Sequence, residues 1–154
     1  RFITVHGSDG SSILQTATEV KDLGLEVLAV TVLTNVSESE LGDLGYKESL
    51  SLRQLVLDRA NVAKESGCAG VVCSGEEVAL IKRACSNHFK VVVPGIRPLW
   101  ADVKKDDQSR IVTPKDAISN GADLIVVGRP IRDAKDPNIA ALKIVEEIES
   151  ALSA

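Results

Sequence analysis

The sequence predicts an α/β fold built on a parallel sheet. Three observations carry that prediction. Short runs rich in Val and Ile alternate with stretches of helical spacing, five times in order. The β-type runs are almost continuously apolar, as strands covered on both faces are. Glycine and polar residues gather just after the runs, where parallel sheets carry their chemistry.

The first run covers residues 2–5, Phe-Ile-Thr-Val. A helix follows over 11–23, with Ile13, Ala17 and Val20 on one face and Gly24 as its stop. The second run is 27–33. The next helix spans 52–66, where Leu52, Leu55, Val56, Ala60 and Ala63 keep helical spacing and Gly67 ends it. The third run, 70–73, leads into a helix over 76–85. Ser74 reads as its cap, with Glu77 three residues on completing a capping box. After the fourth run, 90–93, Thr113 and Pro114 open a short helix that closes near Gly121. The fifth run is 124–127. The last helix begins at Pro137 and carries Leu142, Val145, Ile148 and Leu152. No repeat or linker divides the chain, so its 154 residues read as one domain. Two architectures fit: an open doubly wound sheet of five strands, or part of a (β/α)8 barrel, which typically needs ~250 residues. Periodicity does not separate them.

Composition excludes several classes of function. With 44% hydrophobic and 26% charged residues the chain has a globular balance. A net charge of -4 argues against a nucleic-acid surface, which needs a basic field. The longest apolar stretch, 25–33, is broken by Glu26 and falls short of the ~20 residues of a membrane span. No secretory signal pattern opens the sequence. Cys68, Cys73 and Cys85 form no CxxC pair, which suits a reducing cytoplasm. No His, Cys or carboxylate cluster has metal-ligand spacing. Met is absent, and the chain opens directly inside a strand; something is expected in front of it.

The post-strand loops are specific. They read Thr34-Asn35, Ser74-Gly75-Glu76, Pro94-Gly95-Ile96-Arg97-Pro98 and Gly128-Arg129-Pro130-Ile131. The last two suggest an anion. Gly128 lets a ligand approach the backbone closely, and Arg129 adds a fixed charge with forked donors. Arg97 sits in the neighbouring loop, and phosphate sites recur after the last two strands of barrels. Taken singly, each loop is as well explained by surface arginines and turn glycines; the pair favours phosphate. His6, at a strand end, is a candidate base, although local packing is the plainer reading. His88 reads as structural and Cys73 as a buried small hydrophobe.

Seven segments resemble the orotidine 5'-phosphate decarboxylase family, its bacterial branch most. They are Val5-His6-Gly7, residues 28–34 (LAVTVLT), Gly70-Val71-Val72-Cys73-Ser74, Pro94-Gly95-Ile96-Arg97-Pro98, Asp107-Gln108-Ser109-Arg110, Thr113-Pro114, and Gly128-Arg129-Pro130-Ile131. Each alone is weak; the ordered set runs from end to end of the chain. The resemblance implies a TIM (β/α)8 barrel of which this chain holds strands four to eight. It implies that Thr34 hydrogen-bonds a pyrimidine. It places Arg97 and Gln108 on a long loop closing over the phosphate, and Gly128 and Arg129 against the phosphate itself. The implied reaction is loss of carbon dioxide from a nucleotide monophosphate, with no metal or organic cofactor. It also implies a cytoplasmic homodimer whose active site lies near the interface.

In that family a lysine within an Asp-x-Lys-x-x-Asp motif, at the end of strand three, protonates the carbon left behind. Here that array is expected upstream of Arg1, so no catalytic residue is assigned within the chain. Asp102, Lys104 and Asp107 match the spacing formally. They follow Trp100-Ala101 and not an apolar run, and read as a solvated loop tip. The chain is expected to grip phosphate without decarboxylating on its own. Alternatives are a related phosphate-sugar barrel, of the ketogulonate-phosphate decarboxylase or hexulose-phosphate synthase type, and a non-catalytic phosphate-binding fragment.

Overall fold

The computed structural model describes residues 1–47, 49–101 and 110–153. Five strands form one parallel sheet: β1 (Phe2–His6), β2 (Glu26–Val30), β3 (Gly70–Val72), β4 (Lys90–Val93) and β5 (Leu124–Ile125). Their order across the sheet is β1-β2-β3-β4-β5. That order decides between the two architectures. A doubly wound sheet reverses its winding and breaks sequential order. Here every crossover steps the same way, and right-handed crossovers then put all helices on one side. The doubly wound alternative is overturned; the sheet is an arc of barrel wall.

The described helices are α1 (Ser11–Thr18), α2 (Leu52–Glu65), α3 (Val78–Cys85), α4 (Pro114–Ser119), α5 (Arg129–Arg132) and α6 (Pro137–Leu152). Side chains close three of their open ends, at Thr113 as the sequence suggests and at Ser51 and Asp136 besides. Ser51 accepts from the Gln54 amide, Thr113 from Asp116, and Asp136 from Asn138 and Ile139. Neighbouring helices touch, α1 with α2, α2 with α3, and α4 with α6. The helix expected over 11–23 is α-helical only to Thr18. A 3-10 turn over Glu19–Leu23 then runs into Gly24, whose φ of 74° reverses the chain. No described helix is long and apolar enough to cross a membrane.

Alternation along the strands sorts the two faces. Ile3 and Val5, Val27 and Ala29, Val71 and Cys73, Val91 and Val93, and Ile125 join the core beneath the helices. The intervening residues, among them Thr4, Leu28, Val72 and Val92, turn to the opposite face, which is the interior of a closed barrel. Near the amino ends of the strands, Lys90 Nζ meets Glu26 Oε1 at 2.6 Å and lies 5.7 Å from the Phe2 ring centre. Gly70 lies on the strand between Glu26 and Lys90 and offers no side chain to obstruct them.

Gly70 is a sharp steric test. A Cβ there would stand 2.1 Å from the Lys90 carbonyl oxygen, which is backbone and cannot swing away. Gly70→Ala is expected to cost about 3 kcal/mol, the upper part of the overpacking range, measured as a lowered denaturant midpoint. A midpoint unchanged from the parent would contradict this strand register.

Three strands end earlier than the sequence suggests, the third by one residue, at Val72. The second, expected over 27–33, ends at Val30. Thr31 still donates its amide to the Val72 carbonyl, 3.0 Å away, but the carbonyls beyond are taken by side chains. Arg59 Nη1 donates to the Thr31 carbonyl, and Arg110 Nη2 to those of Val32 and Leu33, at 3.3 and 3.1 Å. The fifth, expected over 124–127, ends at Ile125.

Candidate functional site

The carboxyl ends of the strands open into a cleft of about 190 Å³ lined by Thr34, Pro94, Gly95, Arg97, Val126, Gly128 and Arg129. The fold thus brings together Thr34, Arg97, Gly128 and Arg129, all named from sequence. Gln108 lies outside the described residues, as do Asp102, Lys104 and Asp107.

Each lining group is set by local structure. Thr34 follows the end of β2 by four residues and is buried. Gly95 adopts a φ of 72°, which turns the chain after β4 and aims Arg97 back across the strand ends. The Arg97 amide donates to the Val112 carbonyl at 2.8 Å, beside a parallel bridge between Ile96 and Val112. Its Nη1 donates to the Ile96 carbonyl at 2.9 Å, which restrains the half-buried guanidinium. Arg129 is the first residue of α5, an element not expected from sequence. Gly128 precedes it and is exposed; a Cβ there would meet nothing within 4 Å. The side-chain direction there is open, while the Gly128 carbonyl accepts from the Ile131 and Arg132 amides at 3.1 and 2.9 Å. Two guanidiniums, a hydroxyl and a bare stretch of backbone converge from three separate loops, an arrangement suited to a small anion joined to a polar group.

Behind the cleft lies a buried ion pair. Arg110 Nη1 stands 2.6 Å from Glu77 Oε1, and the two side chains are only 7% and 5% exposed. Burial pushes the Glu77 carboxyl above its ordinary value, while the Arg110 guanidinium beside it pulls the other way. This corrects one expectation: Glu77 does not complete a capping box with Ser74. The helix begins at Val78 with no side-chain cap, and Ser74 Oγ instead accepts from the Glu76 amide at 3.3 Å. Neither Glu77 nor Arg110 was legible as a site residue, because they are 33 positions apart and share no local pattern. Burial also drives the Cys73 thiol strongly upward, which favours the inert, protonated form expected of a buried structural cysteine.

A larger hollow, about 360 Å³, lies where Trp100 meets Lys115 of α4 and Lys143, Glu146, Glu147 and Ser150 of α6. Trp100 Nε1 donates to Glu147 Oε1 at 2.8 Å, and Lys143 Nζ sits 5.3 Å from the ring centre. It belongs to the helical layer and not to the strand ends, so it is set aside as a site. His6 ends β1 on the interior face and lines neither cavity.

Comparison with known proteins fixes the family. Residues 1–144 match the family model described as Orotidine 5'-phosphate decarboxylase / HUMPS family. The chain belongs to this family. An orotidine 5'-phosphate decarboxylase of Desulfosudis oleivorans is 48% identical over 153 residues, covering 98% of this chain and 61% of the relative. One from Methylococcus capsulatus is 46% identical over 153 residues, covering 99% of this chain and 61% of the relative. Among solved structures, the crystal structure of orotidine 5'-phosphate decarboxylase from Lactobacillus acidophilus superposes with a TM-score of 0.78 at 36% identity. It covers 96% of this chain and 62% of that one. This member of the orotidine 5'-phosphate decarboxylase family therefore spans about three fifths of the length of the relatives it matches, 61% in both curated cases.

Proposed function

We propose that the chain supplies the phosphate-gripping part of an orotidine 5'-phosphate decarboxylase, the carboxyl-terminal five strand–helix units of a barrel. The observation that carries this reading is the convergence of Thr34, Arg97, Gly128 and Arg129 on one cleft at the strand ends. Family membership supports the choice of a nucleotide monophosphate as ligand. The sequential sheet, with β1 and β5 at its two edges, supports completion by further strands.

In this reading Arg129 and the Gly128 backbone hold the phosphate, Arg97 covers it from the adjacent loop, and Thr34 hydrogen-bonds the pyrimidine. Gln108 joins the phosphate side. The reaction removes carbon dioxide from the ring and returns a proton to the same carbon. The proton donor is a lysine of the barrel's other part, within an array of aspartates. Phosphate binding acts at a distance: contacts to a group that does not react hold the ring against the charged array and so lower the barrier. The reading extends to a homodimer in the cytoplasm; the buried free cysteines Cys68, Cys73 and Cys85 support the reducing compartment alone.

The test is a spectrophotometric decarboxylation assay on the complete barrel with orotidine monophosphate, with and without a strong chelator. The expected result is turnover that the chelator does not change. Turnover only of a sugar phosphate, and only with a divalent metal, would contradict the proposal.

A further inference from the structure

We infer that the buried Glu77–Arg110 pair is a positioning device that sets the spacing between the Thr34 side and the Arg97 side of the cleft. The inference rests on the reading of that cleft as a nucleotide site. Arg110 ties two parts of the fold together. Its Nη1 meets Glu77 Oε1 at 2.6 Å, at the start of α3. Its Nη2 donates to the carbonyls of Val32 and Leu33, at 3.3 and 3.1 Å, and its backbone amide donates to the Thr34 carbonyl at 3.3 Å. Three successive carbonyls of the Thr34 turn are thus held by one residue.

Two residues further on, Val112 holds the other side. Its carbonyl accepts from the Arg97 amide at 2.8 Å, and its own amide donates to the Gly95 carbonyl at 3.4 Å. The short run from Arg110 to Val112 is therefore a strut with Thr34 at one end and Arg97 at the other. Glu77 fixes the strut against β3's loop, and Gly75 in that loop packs so tightly that a Cβ would stand 2.4 Å from Val112 Cγ1. Among the described residues, Glu77 Oε2 and Arg110 Nε are buried with no hydrogen-bond partner. An apolar pair would fill the same space without leaving those atoms unsatisfied. What an apolar pair would not do is hold three carbonyls in register. Neither residue lines the cleft, so both act through Thr34 and Arg97 and touch no ligand.

A spacing device has a signature that a purely structural pair lacks. Only a ligand that bridges both sides reports the spacing. Uridine monophosphate bridges them; inorganic phosphate and uridine each use one side. The experiment is calorimetric titration of the complete barrel with these three ligands, for the parent, Glu77→Gln, and the double variant Glu77→Gln/Arg110→Met, with melting followed in parallel. The double variant removes both charges together, so it avoids an orphaned buried carboxylate. It gives up the bonds to the Val32 and Leu33 carbonyls, and Glu77→Gln, which keeps them, carries the test if the double variant melts early.

The expected result is uridine monophosphate affinity lowered about tenfold in the double variant, as lost registry between two subsites predicts. Phosphate and uridine stay within about twofold of the parent, since each keeps its own contacts. Glu77→Gln falls between parent and double variant. Unchanged uridine monophosphate affinity in a folded double variant overturns the inference. So does an equal loss for all three ligands that tracks the melting temperature, which is what a merely structural pair would give. A parent protein that binds none of the three would instead sink the nucleotide reading of the cleft, a different outcome from either of these.

Discussion

Arg129→Ala is expected to weaken binding of uridine monophosphate to the complete barrel by about ten- to a hundredfold. That range is the ~1.5–3 kcal/mol of a charge-assisted hydrogen bond converted to affinity. Uridine, which carries no phosphate, should bind within about twofold of the parent, since a lost phosphate contact touches only phosphate-bearing ligands. The asymmetry follows from the position of Arg129, which opens α5 beside the exposed backbone of Gly128, on the other side of the cleft from the Thr34 turn. The fold itself should not suffer, because Arg129 is half-buried at a loop-to-helix junction and not within the core beneath the sheet. Equal losses for nucleotide and nucleoside, measured by calorimetry, would contradict the assigned role.

Arg110→Met is expected to show the largest change in stability, about 3–5 kcal/mol, the cost of removing one partner from a buried pair. Here the loss has a pH dependence of known sign. With the guanidinium gone, burial alone acts on Glu77 and holds its carboxyl still further above its unfolded value. A group raised on folding favours the native state below its unfolded pKa and withdraws that support as pH rises through the folded value. The deficit of Arg110→Met should therefore be deepest at neutral pH and should shrink in mildly acidic buffer, where Glu77 takes up a proton. Denaturant midpoints at the two pH values, each compared with the parent, measure it. A deficit that grows on acidification would show that Glu77 is not the orphaned group.

What was legible in the sequence was whatever is local. Continuous Val and Ile runs mark strands covered on both faces, and all five were placed within a few residues. The cap at Thr113 was equally visible, because a cap is a contact three residues long. Gly128-Arg129 and Gly95-Ile96-Arg97 could be paired from sequence because they follow successive strands, although either loop alone reads as well as a turn with a surface arginine. The misreadings share one cause. Thr31 to Leu33 have strand-forming side chains, yet the strand stops, since Arg59 and Arg110 claim their carbonyls from far along the chain. Glu77 has the spacing of a capping box, yet its partner lies 33 residues on. Strand order, too, is a long-range fact. Alternating runs suit a barrel arc and a doubly wound sheet equally, and only the sequential pairing from β1 to β5 separates them.

The central claim is that Thr34, Arg97, Gly128 and Arg129 form one nucleotide cleft, phosphate at one side and pyrimidine at the other. Backbone amide chemical shifts of the complete barrel, followed during titration with uridine monophosphate and then with inorganic phosphate, test it most directly. The predicted result is movement of Gly128, Arg129, Arg97 and Thr34 with the nucleotide, and of all but Thr34 with phosphate alone. Shifts gathered instead around Trp100 and Lys143, or no shifts at all, would contradict it.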